Sequence, residues 1–148
     1  MRKQRIAVVS TVLATIFMLG ACKKNNVPTF AEEKIVADSI LYTGALAGGE
    51  FGDISRGDVS VEKLAGKKYL VFKNFTSSNG PAVYVYLTKT IASNANPPVD
   101  YVDLGLLKAI NGTFNYELTS NPDIAVYKYA LVWCRQFKIQ FGIAELKK

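Results

Sequence analysis

Val83-Tyr84-Val85-Tyr86-Leu87 carries the clearest secondary-structure signal in this chain of 148 residues. Aliphatic and tyrosine side chains alternate along it, so a strand would place the aliphatic ones on one face of a sheet and the tyrosines on the other. The same period of two recurs in residues 113–118 and 58–62, where apolar and polar side chains alternate. Because β-branched and aromatic residues favour strands, these stretches predict β structure.

Further apolar runs extend this pattern over most of the chain beyond Gly44. They cover residues 69–75, 130–134, 137–141 and 144–146. Turn-forming residues separate the runs, at Ala65-Gly66, Asn79-Gly80-Pro81, Asn96-Pro97-Pro98, Asn111-Gly112 and Asn121-Pro122-Asp123. Short strands at such spacing predict an all-β fold, and we expect an antiparallel β-sandwich or barrel of about eight strands.

Two short stretches predict helix instead. Residues 32–41 hold the apolar side chains of Ile35, Val36, Ile40 and Leu41 at a spacing compatible with a helix. Residues 103–108 are expected to form one helical turn between two strands.

The first 21 residues have the layout of a secretory signal. A basic start at residues 2–5 precedes an uncharged run over residues 6–19, which is shorter than the roughly 20 residues of a membrane-spanning helix. The run ends in Leu19-Gly20-Ala21-Cys22, which resembles the lipobox of bacterial lipoproteins, where the signal is removed and the new N-terminal cysteine is lipid-modified. We therefore expect a lipid on Cys22; an ordinary secretory signal or an uncleaved anchor is the alternative.

This interpretation divides the chain into three parts. Residues 1–21 form the signal peptide, residues 22–43 the lipidated tether and N-terminal segment, and residues 44–148 the β domain. The lipid would hold the domain on the bacterial cell envelope. Since Lys23 and Lys24 do not resemble an acidic surface-export tag, we expect the outer membrane and a position facing the periplasm.

The formal charge of +6 first suggests a nucleic-acid or anionic-membrane partner. Removal of residues 1–21 takes away three basic groups and leaves 15 basic against 12 acidic ones. Lys23 and Lys24 lie beside the lipid, and Lys147 and Lys148 close the chain, so the body of the domain is balanced. No basic stripe interleaved with aromatic residues remains, and nucleic-acid binding is not expected.

The absence of histidine excludes several kinds of site. Ser-His-Asp and Cys-His nucleophile systems, histidine zinc sites and histidine-ligated haem cannot be built from this chain. Carboxylates in or near loops, Asp53, Asp58, Asp100, Asp103 and Asp123, match no calcium-loop spacing, so we expect no metal site.

Cys134 is the one thiol left once Cys22 carries lipid, so it cannot form an internal disulfide. It lies near the predicted end of a strand, where side chains are often partly accessible. Alternation places Val132 and Cys134 on one face and Trp133 and Arg135 on the other, with a turn or bulge after Arg135. If Arg135 were near the sulfur, it could stabilise the thiolate. The alternative is that Cys134 is a small buried hydrophobic residue.

Several sequence blocks follow one another in a distinctive order. They are Asn74-Phe75, Ser78-Asn79-Gly80-Pro81, Val83-Tyr84-Val85-Tyr86-Leu87, Tyr101-Val102-Asp103-Leu104-Gly105, Leu107-Lys108, Asn111-Gly112, Asn115-Tyr116-Glu117-Leu118, Val132-Trp133-Cys134-Arg135, Phe137, Phe141-Gly142, Ala144 and Leu146. In order and spacing this series resembles the electron-transfer DM13 domain family, and it covers residues from about 44 to 146.

The resemblance implies a redox or electron-transfer role. The signature residue of the family is the cysteine of the Trp-Cys strand, Cys134 here, acting as a free thiol or as ligand to a prosthetic group. Many members carry a histidine where this chain has Asp53-Ile54-Ser55-Arg56-Gly57, and the acidic residue that often follows the Gly-Pro step is Ala82. With no histidine, and with both methionines in the signal, haem is disfavoured and no cofactor is expected.

Three functions remain open at this point. The first is a membrane-anchored redox module acting through Cys134 on a redox partner or envelope protein. The second is a non-catalytic β-sandwich that binds or adheres through loops and exposed tyrosines, with Cys134 buried and structural. The third, a cytochrome-like cofactor domain, is disfavoured by the missing histidine. Whether the chain is an enzyme, and its oligomeric state, stay open.

Overall fold

The computed structural model describes residues 27–49, 51 and 54–148, and these residues form strands and connections without a helix. Nine strands follow in chain order: β1 Ala31–Glu32, β2 Ser39–Gly48, β3 Ser55–Leu64, β4 Lys67–Ser77, β5 Val83–Thr88, β6 Tyr101–Leu106, β7 Asn111–Glu117, β8 Tyr129–Cys134 and β9 Ile139–Glu145. The predicted all-β class is confirmed, with nine strands where about eight were expected.

All nine strands belong to one sheet that curls into a half-barrel, in the order β1-β7-β4-β3-β2-β9-β8-β5-β6. Neighbours are antiparallel except β1, which runs parallel to β7. The long strand β2 joins the two halves of the sheet: its residues 39–46 pair with β3, and Ala47 and Gly48 pair with β9. The sheet is thus continuous while its inner face wraps around the core.

The side chains of β5 alternate between the two faces of the sheet, as predicted. Val83, Val85 and Leu87 belong to the main core on the inner face, whereas Tyr84 and Tyr86 lie with a second apolar cluster on the outer face. The connection from β5 to β6 crosses that outer face and packs the buried side chain of Ala92 against the cluster. Both faces of this part of the sheet are therefore covered.

An aromatic group fills the other half of the core. Phe72, Phe75, Phe114 and Tyr116 lie in contact, with ring centroids 5.1 Å apart for Phe72–Phe114 and for Phe75–Phe114. The Tyr116 hydroxyl donates to the Leu106 carbonyl at 2.9 Å and accepts from the amide of residue 108 at 3.0 Å. This phenol ties the end of β6 to β7, so the two distant parts of the sheet are linked across the core.

The helix expected over residues 32–41 is wrong. These residues end β1, cross the sheet and begin β2, with the Glu33 amide 2.6 Å from the Thr113 carbonyl and the Asp38 amide 2.7 Å from the Lys63 carbonyl. Backbone pairing to β7 and β3 replaces helical hydrogen bonds. The apolar side chains do not form one buried helical face, since Val36 is 88% exposed.

The helical turn expected over residues 103–108 is also wrong. Asp103 and Gly105 lie within β6, opposite Tyr86 and Val85 of β5, with an irregularity in the register between them. Gly105 has a φ of 99°, and its amide donates to the Asp103 carboxylate at 2.9 Å. This local Asx contact bends the edge strand rather than starting a helix.

Gly112 permits the parallel contact of β1 with β7. Its φ is 110°, and a Cβ at this position would overlap the carbonyl oxygen of Ala31. Any larger residue would push β1 away from the sheet.

The predicted signal peptide, the lipid attachment residue Cys22 and the start of the tether lie outside the described residues. Within the described part, there is no helix of sufficient length and hydropathy to cross a membrane.

Candidate functional site

Cys134 is the last residue of β8, as the sequence predicts, but it is not accessible. It lies opposite Val83 of β5 and Ile139 of β9, and its exposed fraction is 0%. The side chain belongs to the main core. The expected partial access at a strand end is therefore wrong, because the side chain points into the main core although β5 and β9 begin opposite Cys134.

Cys134 nevertheless borders an exposed segment. Residues 135–138 form the turn between β8 and β9 and are all exposed. Lys138 has a φ of 55°, and the Arg135 amide is held by the Ala82 carbonyl at 2.9 Å. The predicted turn after Arg135 is present. Cys134 is thus the last buried residue before a solvent-exposed turn.

The structure does not bring the Arg135 side chain to Cys134. The guanidinium carbon lies 3.5 Å from the centroid of the Tyr84 ring, on the outer face of the sheet. Its Nε donates to the Tyr86 hydroxyl, and its Nη2 donates to the Asp103 carboxylate. The predicted alternation explains this position, since successive residues of a strand point to opposite faces. Arg135 is engaged with tyrosines rather than with the thiol.

Five residues make up what we call the Arg135 cluster: Tyr84, Tyr86, Tyr101, Asp103 and Arg135. The Tyr86 ring lies between the other two, 4.3 Å from the Tyr101 centroid and 6.2 Å from the Tyr84 centroid. Tyr86 is 1% exposed, while Tyr101 is 39% exposed. A buried phenol is thus connected to the surface through a second ring.

The electrostatics of this cluster are shaped by burial and by the ion pair. Burial raises the pKa of Tyr86 to about 12, although the hydrogen bond from Arg135 opposes the rise. For Arg135, burial opposes the positive charge, but hydrogen bonds to Tyr86 and Asp103 outweigh it and raise the pKa above its usual value. At neutral pH the phenol is protonated and the guanidinium is charged.

Sequence reasoning singled out Tyr84, Tyr86, Asp103 and Arg135 without joining them, and it did not single out Tyr101. The period of two in β5 placed Tyr84 and Tyr86 on one face, and Arg135 was assigned to the face opposite Cys134. The pairing of β5 with both β6 and β8 brings them together with Asp103. That pairing connects residues far apart in the chain and could not be inferred from local patterns.

A second polar site was not predicted at all. The Glu62 carboxylate, in β3, is 2% exposed and accepts hydrogen bonds from Ser60 and Lys73, each at 2.6 Å. A cavity of about 450 Å³ beside it is lined in part by Ser60 and Lys73. The alternation of residues 58–62 indicated a solvated face for Glu62, but its carboxylate is buried and held by Ser60 and Lys73.

Two of the loop carboxylates, Asp100 and Asp123, have structural partners, whereas Asp53 lies outside the described residues. Hydrogen bonds from Lys89 and Tyr127 lower the pKa of Asp100, and Asp123 accepts from the Ala125 amide at 2.9 Å. Across the described residues there is no group of three or more potential metal ligands among His, Cys, Asp and Glu.

The fold and the site define a small all-β domain whose Trp-Cys strand separates a buried thiol from an arginine–tyrosine cluster. The chain belongs to the electron transfer DM13 family, whose model matches residues 50–146. The resemblance drawn from the sequence is therefore confirmed, and membership connects the chain to electron transfer. Neither the curated proteins nor the solved structures compared with the chain match it.

Proposed function

We propose that the protein is an electron-transfer module of the bacterial cell envelope, held on the membrane by a lipid at Cys22 and acting through the thiol of Cys134. The observation that carries the proposal is the position of Cys134 in a DM13 domain, as the last buried residue before the exposed turn 135–138. With Cys22 lipidated, Cys134 is the one thiol left in the chain.

Access to the sulfur requires a local opening of the β8–β9 hairpin end. The contacts to be broken are the pairing of Cys134 with Ile139 and the hydrogen bond from the Arg135 amide to the Ala82 carbonyl. Openings at the ends of elements cost less free energy than global unfolding. The turn 135–138 is exposed and includes Lys138 with a positive φ, which makes this end of the hairpin the natural place for such an opening.

The chemical step is thiol–disulfide exchange with a partner protein. The Cys134 thiolate attacks one sulfur of the partner's disulfide, a mixed disulfide forms, and the second partner sulfur leaves as a thiolate. Because this chain has no second thiol to resolve the mixed disulfide, a thiolate of a second, dithiol-bearing partner attacks the Cys134 sulfur and releases the first partner as a dithiol. The other thiol of the second partner then displaces Cys134 as a thiolate and closes that partner's disulfide, so two electrons and two protons pass from the second partner to the first.

Thiol titration of the detergent-extracted protein tests this proposal. Cys134 should react with an aromatic disulfide reagent under native conditions, at a rate that rises only weakly with low urea concentrations because opening is local. The Cys134→Ala variant supplies the background. Ile139→Ala, beside the sulfur, should accelerate the reaction more than Ile143→Ala, farther along the same strand. A rate that simply follows global unfolding would reject Cys134 as the redox group.

The lipid anchor is tested separately by metabolic labelling with radioactive palmitate. The wild-type chain and the Cys134→Ala variant should both be labelled and recovered with the membrane fraction. A Cys22→Ala variant should be unlabelled and keep its leader, because the modified cysteine is also the site that directs processing. Labelling of Cys22→Ala would contradict the anchor.

A second function is favoured by the complete burial of Cys134. In this alternative the domain is a non-catalytic binding module and Cys134 is structural. Two adjoining cavities on the outer face, of about 450 and 500 Å³, share Thr43, Gly44 and Ala45 of β2 and offer a place for a ligand. A Cys134→Ala variant that is less stable but still folds and keeps native partner binding would support this alternative over the thiol.

A further inference from the structure

We propose that Tyr86 is a one-electron redox site, oxidised through Tyr101 to a neutral radical while its phenolic proton is taken up by Asp103. Arg135 positions all three groups. The proposal rests on the electron-transfer role proposed above, but it does not require that Cys134 be reactive.

Two hydrogen bonds donated by Arg135 position the phenol and the proton acceptor next to each other. Arg135 donates through Nε to the Tyr86 hydroxyl and through Nη2 to the Asp103 carboxylate, so one planar group holds a phenol and a base side by side. Because the phenol gives up its proton together with the electron, the oxidised ring stays neutral and gains no positive charge beside the guanidinium. The donated N–H also remains available to the phenoxyl oxygen after the proton has left.

The contacts between the tyrosine rings provide a path for the electron. Tyr101 lies at the edge of the sheet on β6, is 39% exposed, and has its ring centroid 4.3 Å from that of Tyr86. On its other side Tyr86 is 6.2 Å from Tyr84, and the outer cluster continues to the buried Trp133. Electron tunnelling weakens steeply with distance, so rings in contact form the favoured route between the surface and Tyr86.

The step balances with a one-electron oxidant of high potential, such as an oxidised metal centre or a radical in a partner protein. The electron leaves the Tyr86 ring through Tyr101 to the oxidant, which is reduced by one. The O–H bond of Tyr86 breaks, its proton forms an O–H bond with the Asp103 carboxylate, and a neutral phenoxyl radical remains. Return of an electron and of the proton restores the phenol.

Two properties of the site favour this reaction over a purely structural stack. Burial raises the pKa of Tyr86 to about 12, so at neutral pH the phenol keeps its proton until it is oxidised, and a neighbouring base is needed. Tyr86 is also 1% exposed, which shields a radical from solvent and from collision with other molecules. A surface tyrosine would provide neither condition.

Laser flash photolysis of the detergent-extracted full-length protein tests the proposal, with photogenerated tris(bipyridine)ruthenium(III) as the oxidant. A tyrosyl radical should appear by transient absorption and by electron paramagnetic resonance of frozen samples. Tyr86→Phe, which keeps the ring, should lose most of the long-lived signal. Tyr69→Phe, a half-buried tyrosine of β4 outside the Arg135 cluster, is the matched control and should retain it.

The roles proposed for Asp103, Arg135 and Tyr101 are tested by separate measurements. Asp103→Asn should slow radical formation and make its rate depend on the concentration of buffer base, since an external acceptor must replace the carboxylate. Arg135→Gln should shorten the radical lifetime, and Tyr101→Leu should slow its formation without changing its spectrum. Melting curves confirm that each variant folds, and the exposed position of Asp103 keeps the test independent of changes in the core.

Two outcomes would overturn the proposal: an undiminished signal in folded Tyr86→Phe, or Asp103→Asn and wild type forming the radical with the same rate and the same buffer dependence. Repeating the measurement in Cys134→Ala separates this proposal from the preceding one. The radical should form there at the wild-type yield, whether or not the thiol reacts in the titration described above.

Discussion

Glu62 shows at the scale of one residue how a charge is held inside this fold. Its carboxylate is 2% exposed and is stabilised by the Ser60 hydroxyl and the Lys73 ammonium group, each 2.6 Å away. Lys73 itself is 43% exposed, so water stabilises part of the positive charge. A buried carboxylate that loses its cation keeps its desolvation cost without the compensating interaction.

Lys73→Met should therefore destabilise the protein by about 1–3 kcal/mol in the free energy of unfolding. Urea denaturation measures this change. Lys67→Met removes the cation of the exposed pair with Glu117, at 3.0 Å, and should change stability by less than about 1 kcal/mol. Equal effects of the two substitutions would show that Glu62 does not depend on Lys73.

Because of Tyr86 and Tyr116, we expect the protein to lose stability at alkaline pH. Burial raises the pKa of both phenols, for Tyr86 from 10.0 to about 12. Between these values the folded state retains a proton that the unfolded chain releases, so the stabilisation is complete below pH 10 and is lost as the pH rises toward 12.

The Tyr86 contribution to this loss should amount to about 2–3 kcal/mol. Urea denaturation at a series of pH values checks it. Tyr86→Phe should flatten the decline in stability above pH 10, and combining it with Tyr116→Phe should flatten it further. A decline that is identical in wild type and in the double variant would assign alkaline unfolding to other groups.

At the scale of elements, the turn of the β3–β4 hairpin combines Gly66, which suits its conformation, with Ala65, which does not. Ala65 and Gly66 both have positive φ, 48° and 82°, as a two-residue hairpin turn requires. Glycine meets this requirement easily, whereas alanine is strained there. The Ala65 amide gains a hydrogen bond of 2.8 Å to Asp38, which helps to fix the turn.

Ala65→Asn should stabilise the protein by about 0.5–1 kcal/mol, because asparagine adopts the left-handed conformation at lower cost. The measurement is urea denaturation, with Ala95→Asn as a control at an exposed loop alanine without a positive φ. A β-branched substitution, Ala65→Val, should destabilise. The expectation fails if Ala65→Asn and Ala95→Asn have the same effect.

The whole molecule is built as a curled sheet with apolar side chains buried on both faces. The inner face carries the main core, and the outer face of β8 carries Leu131 and Trp133 beneath Ala92. Leu131 and Val132 are adjacent in sequence, lie on opposite faces, and are both 0% exposed. The stability of the domain therefore depends on the connection that crosses the outer face as well as on the half-barrel interior.

Leu131→Ala should lower the free energy of unfolding by about 2–5 kcal/mol, because it creates a cavity in a packed cluster. Val132→Ala creates a smaller cavity and should lower it by less. Thermal and urea unfolding give both values. Val99→Ala, in the same connection but 91% exposed, should be close to neutral. If Leu131→Ala were as mild as Val99→Ala, the outer cluster would contribute little to the fold.

Local chemistry was sufficient to predict much of this architecture. The period of two in β5 and β7, and the parity of Cys134 against Arg135, follow from the alternation that any strand imposes, and the structure confirms them. The two helical expectations failed because hydrogen bonds to distant strands determined the structure of residues 32–41 and 103–108. Segments with weak local preference adopt whatever pairing the rest of the sheet offers.

The sequence by itself determined the all-β class, the family resemblance, turns such as Ala65-Gly66 and which residues share a face of each strand, because these depend on side-chain type and on neighbours in the chain. The turn expected at Asn111-Gly112 is wrong, since these residues begin β7 and pair with β4. Tertiary structure alone decided that Cys134 is fully enclosed, that Glu62 is covered, and that Arg135 joins Tyr86 to Asp103. The reason is that β pairing brings together residues tens of positions apart, and burial depends on what crosses over them.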